Sequence, residues 1–162
     1  MTARIAFAVT AAILCVAVAP GNAPAQTRDK KTITLAAAKK MAAAAETEAE
    51  RNHIHISIAI VDDGGNLIYL ERMDGALRGP MEVAEQKARA SASFNQPTKF
   101  FEDRIAQGGS GSAFLSIPQI IAMGGAYPID VGGQEAGAIA VGGAMDALDE
   151  QCVKAALAAL TK

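Results

Sequence analysis

Ile54, Ile56, Ile58 and Ile60 alternate with His53, His55, Ser57 and Ala59, a period of two that lines one face of a β-strand with aliphatic side chains. Asp63-Gly64-Gly65-Asn66 supplies residues that tolerate positive φ, and Leu67 to Arg72 reads as the return strand of a hairpin. Ahead of the hairpin the period is helical. Leu35, Ala38, Ala42, Ala45 and Ala49 follow the N-cap residue Thr34, and Asn52 closes the segment. Gly79-Pro80 opens a second helix running to about Phe94, with Pro80 in a first-turn position that needs no N–H. Its Ala84, Ala88, Ser91 and Ala92 form a stripe small enough to let the helix lie close on a sheet. A short amphipathic turn from Thr98 to Gln107 leads into a flexible loop, Gly108 to Ser112. Three more strands are predicted near Ile120 to Met123, Ala126 to Asp130 and Ala136 to Val141, separated by Gly124-Gly125 and Gly132-Gly133. A final helix is predicted from about Met145 to Leu160. Short glycine turns between neighbouring strands favour an antiparallel sheet, because parallel neighbours need a long crossover, and the fold class expected is α+β.

At the start of the chain, Arg4 precedes the apolar run Ile5 to Ala19, and Ala23-Pro24-Ala25 stands before Gln26. These are the parts of a secretory signal peptide. The expected organisation is a signal peptide at 1–25, a loose polar arm at 26–33 and one domain at 34–162, in the periplasm or secreted. The run falls short of the ~20 apolar residues of a membrane span, and no later segment is long and uncharged enough, so no span is expected after cleavage. Cleavage leaves 137 residues, enough for one core, with 14 basic and 17 acidic side chains. With no basic excess, nucleic acid is not an expected partner. Cys15 falls in the signal segment, and Cys152, alone in an Ala/Leu-rich helical stretch, is expected to be a buried thiol. Few bulky groups and no Trp in the core point to a homo-oligomer that buries more apolar surface between subunits.

Several residue pairs can carry chemistry. His53 and His55, the only histidines, share a strand face with Cβ atoms ~6 to 7 Å apart, which suits either one metal ion or local hydrogen bonding. Glu82 and Glu85, three apart on a helix, can share a ferric or other hard cation. Equally, Glu82 suits the helix N-terminus and Glu85 can pair with Arg89. Lys87 and Arg72 are candidate catalytic or anion-anchoring cations; Lys87 can also pair with Asp74 and fix a loop. Gly124-Gly125 and Gly132-Gly133 read as tight turns that can let backbone approach a ligand closely. Gly108 to Ser112 lacks the Lys-Ser/Thr ending of a phosphate loop, and no Ser-His-Asp set stands out.

The ordered series Ile58-Ala59-Ile60-Val61-Asp62-Asp63-Gly64-Gly65-Asn66-Leu67, Arg72-Met73-Asp74-Gly75-Ala76, Lys87-Ala88, Phe94, Pro97-Thr98, Gly124-Gly125, Pro128 and Gly137-Ala138-Ile139-Ala140-Val141 closely resembles the GlcG/HbpS-type haem-binding family. The resemblance runs from Leu35 to Leu160. It implies a profilin-like fold, a five-stranded antiparallel sheet flanked by helices, assembled into higher oligomers. It also implies haem or corrinoid ligands, with Arg72, Lys87, Thr98, Gly124 and Gly125 as cofactor-binding positions and a cation such as Arg72 or Lys87 on a propionate. Thr98 reads alternatively as a helix N-cap. No Cys-x-x-Cys-His motif is present, so attachment is expected to be non-covalent. The function expected is haem or tetrapyrrole binding, with iron at Glu82 and Glu85. The competing readings are a cofactor-independent lyase or isomerase using Lys87 and Arg72 on a small carbonyl or carboxylate compound, and a structural oligomerisation module.

Overall fold

Thr34 does cap the first helix: its Oγ1 accepts from the N–H of Ala37 at 3.2 Å, and α1 (Leu35–Arg51) follows. The chain, a computed structural model described over residues 26–160, continues through β1 (Ser57–Asp62), β2 (Leu67–Arg72), α2 (Arg78–Phe94) and α3 (Thr98–Ala106). A 3₁₀ helix (Gly109–Ser116), β3 (Ala126–Asp130), β4 (Glu135–Gly142) and α4 (Asp146–Leu160) complete it. The signal segment, with Cys15, and residues 161–162 lie outside the described residues.

The strands form one antiparallel sheet in the order β2-β1-β4-β3. Side-chain alternation gives it two unlike faces. Ile58 and Ile60 of β1 join Ile139 and Val141 of β4 under α1 and α4, where Met41, Ala45 and Val153 complete the larger core. On the other face Ala59, Val61, Ala138 and Ala140 meet Ala84, Ala88 and Ala92 of α2. Small residues opposite small residues bring α2 onto the sheet. At the closest point a Cβ on Gly142 would stand 2.7 Å from the Pro80 carbonyl oxygen, so β4 needs glycine there. Cys152 is fully buried in the larger core. No helix among the described residues is long and apolar enough to cross a membrane.

The expected five strands are four. Ile120 to Met123 forms no strand: Ile120 donates to the Ile117 carbonyl at 3.1 Å in a turn, and Pro118 within it offers no N–H to a ladder. The expected flexible loop at Gly108 to Ser112 instead enters the 3₁₀ helix. Phe114 there packs edge-on against Phe101, 5.4 Å between ring centres, while Phe101 meets Phe94 at 5.3 Å, tying this segment to α3 and α2. The arm is anchored rather than loose. Ile33 donates to Ala136 at 2.8 Å, Lys31 to the Val131 carbonyl at 2.7 Å and Lys30 to Asp63 at 3.0 Å. Edge strand β3 carries Pro128, which has no N–H; the opposite edge, β2, contains no proline.

Candidate functional site

Four of the positions singled out in the sequence meet at one buried junction. Lys87 leaves α2 and donates to the Gly124 carbonyl at 2.7 Å and to Asp149 Oδ2 at 3.1 Å. The two side chains of this ion pair are 1% and 3% exposed. Asp149 belongs to α4, so the pair joins helices lying on opposite faces of the sheet; its Oδ1 accepts from the Ala144 N–H at 3.1 Å. Burial pushes the Asp149 carboxyl above its ordinary range, opposed by the charge and hydrogen bond of Lys87. Gly125, at φ +98°, closes the junction: a Cβ there would lie 2.7 Å from Asp149 Cβ and 2.8 Å from Lys87 Nζ. Lys87 therefore pairs with Asp149, not with Asp74, and its amine is spent on two protein acceptors.

Thr98 is not the N-cap of α3. Pro97 holds that position, and the buried Thr98 Oγ1 instead accepts from the Ala126 N–H at 3.2 Å, pinning the start of β3. Gly124-Gly125 likewise joins no pair of strands. Its first N–H donates to Glu102 at 2.9 Å and its second carbonyl accepts from Val141 at 2.9 Å.

Arg72 stands apart from this junction. It ends β2 opposite Ser57, exposed, and the next residue, Met73, donates to the Ile56 carbonyl at 3.0 Å. That bond brings Met73 and Asp74 beside the link between α1 and β1, and with Glu50, His53, Ile54 and His55 they wall a groove of about 410 Å³. The histidines do not sit on a strand face. The N–H groups of His53 and Ile54 still bond back to Glu50 and Ala49, His53 takes φ 55°, and β1 begins only at Ser57. A loop, not a pleat, gathers them. The His55 ring lies within 3.4 Å of the Cβ position of Gly75, so the turn after β2 backs it. Glu50, Met73 and Asp74 as neighbours of the histidines were invisible to periodicity; the Ser57–Arg72 register of the hairpin was the one signal that could have placed Met73 and Asp74 there. Among the described residues, no three His, Cys, Asp or Glu side chains are placed to hold a metal ion together.

Glu82 and Glu85 lie elsewhere, along α2. Glu82 pairs with Arg78 at 3.3 Å and Glu85 with Arg89 at 2.6 Å, both helical i,i+4 pairs.

Comparison with known proteins follows the same outline. Escherichia coli GlcG is 36% identical over 83 residues, 51% of this chain and 60% of GlcG, so less than two thirds of that relative is spanned. Klebsiella pneumoniae protein ORFY shares 30% identity with a TM-score of 0.80, covering 84% of this chain and 95% of its own. A double mutant of Streptomyces reticuli HbpS shares 31% identity with a TM-score of 0.76 over 96% of this chain and 97% of its own. Residues 33–158 match the family described as haem degrading protein HbpS-like, and the chain belongs to that family.

Proposed function

We propose that this protein binds haem non-covalently in the groove walled by His53, His55 and Met73. One observation carries the reading: the only two histidines of the chain and a thioether converge on one open groove, with the exposed guanidinium of Arg72 next to Met73 in sequence. Imidazole and thioether are axial ligands of haem iron. A bare ion needs three or four protein donors, which these residues do not assemble, whereas a porphyrin brings its own four nitrogens and asks for one or two. His55, backed by the Gly75 turn, is the axial ligand of choice; Arg72 is the cation for a propionate. Bound haem supplies iron redox and oxygen chemistry to the site.

The same reading places the working protein outside the cytoplasm, after cleavage before Gln26, as a homo-oligomer. Exposed Leu77, Leu115 and Met145 support the second part, being 75%, 69% and 76% accessible in the single chain. Iron binding at Glu82 and Glu85 requires release of Arg78 and Arg89, and further ligands from a neighbouring subunit. The lyase reading loses support, because the Lys87 amine is buried and doubly bonded.

Titration of the haem-free protein with haemin, followed in the Soret region, tests the site. His55→Ala is expected to weaken binding at least tenfold and to change the band position, and the double variant with His53→Ala to abolish the specific band. An unchanged titration in the double variant sinks the proposal.

A further inference from the structure

At the other end of the β1–β2 hairpin from the histidine groove, ~17 Å away by strand rise, a second cavity of about 320 Å³ opens between the hairpin turn, α2 and the segment before β3. Its lining has a definite chemistry. Arg89 is the only ionisable residue in it. Gln86 and Ser93 of α2 and Gln119 from across the cavity add hydrogen-bonding side chains, none of which has a hydrogen-bond partner within the described residues. The glycine turn, Gly64-Gly65, forms one wall without side chains, and Pro118 and Ile121 supply an apolar one.

From this geometry we infer that the cavity is a binding site for a small free monocarboxylate with a short apolar body. Guanidinium is the side chain best shaped for a carboxylate, because its five N–H donors form a planar fork. Arg89 donates to Glu85 through one terminal nitrogen, leaving most of the fork for a ligand. Glu85, outside the lining, holds one edge of the guanidinium at 2.6 Å, so an incoming anion shares the Arg89 charge with it. Two amides and a hydroxyl can take the second carboxylate oxygen or a polar substituent, and the Pro118–Ile121 wall takes the carbon chain. The volume, at the lower end of the range for small-molecule sites, suits a small ligand.

The test uses haem-free protein and two pairs of probes, butyrate with butyramide and benzoate with benzamide, titrated by calorimetry. Either carboxylate is expected to bind at least tenfold more tightly than its amide. Arg89→Gln is expected to remove that preference, with an unchanged thermal melt because the side chain is exposed. Glu85→Gln, which frees the guanidinium, is expected to leave affinity equal or higher. Equal binding of acid and amide, full binding by Arg89→Gln, or no binding of either acid overturns the inference. A haemin titration of Arg89→Gln separates it from the histidine groove. Unchanged haemin affinity supports two sites; a tenfold loss assigns Arg89 to a haem propionate and overturns the free-carboxylate reading.

Discussion

Lys87 and Asp149 show how much one residue pair decides. Each ion is out of water, so its partner is what makes its charge tolerable. Lys87→Met is expected to destabilise the fold by about 3 to 5 kcal/mol by leaving Asp149 buried and unpaired, while adding Asp149→Leu recovers most of the loss. Urea denaturation of the single and double variants measures this; equal midpoints for wild type and Lys87→Met would remove the pair from the account. Asp62 gives the opposite pH signature at the hairpin turn. Burial alone raises its carboxyl, but hydrogen bonds from Asn66 and the Gly64 N–H prevail and hold it below the ordinary range. The folded state then binds fewer protons than the unfolded chain, so the contribution is present above the unfolded value and fades as pH falls through the folded one. Asp62→Ala is expected to lower the melting temperature at neutral pH, with the gap to wild type closing as pH falls below the ordinary carboxylate range. A gap constant with pH would contradict this.

At the level of elements, the small-on-small contact of α2 with the sheet sets the spacing between them. Gly142→Ala puts a methyl against the Pro80 carbonyl and is expected to cost about 1 to 3 kcal/mol, read as a lower denaturation midpoint; a neutral result would mean that α2 slides freely on the sheet. Elements with a strong period were legible in the sequence: α1 with its Thr34 cap, the Asp63–Asn66 hairpin and the small-residue stripe of α2 all follow from local residues. Ile120–Met123 was not, since an apolar run looks alike in a strand and in a partly covered connection. Nor were the histidines, because helix bonds persisting past Asn52 shorten β1 by about one turn of loop, which no alternation of Ile and His reveals. Site residues were legible in part. Lys87, Thr98, Gly124 and Gly125 come together in the fold while Arg72, named with them from the resemblance, does not; their partner Asp149 is 62 residues from Lys87, and only the closure of α4 over the sheet joins them.

For the whole molecule, the anchored arm bears on processing. Lys30, Lys31 and Ile33 are each tied to the domain, so a mature chain starting at Gln26 keeps every one of these contacts. On the proposed export, N-terminal sequencing is expected to begin at Gln26, or at its cyclised form; a start beyond Ile33 would contradict it. Pro128 carries a further consequence. A sheet with one edge lacking a backbone donor at its middle and the other fully furnished is a piece with a single connector. Two copies meeting connector to connector would satisfy each other around a twofold axis, and the donor missing at Pro128 on each outward edge would then disfavour a third copy and growth into a fibre.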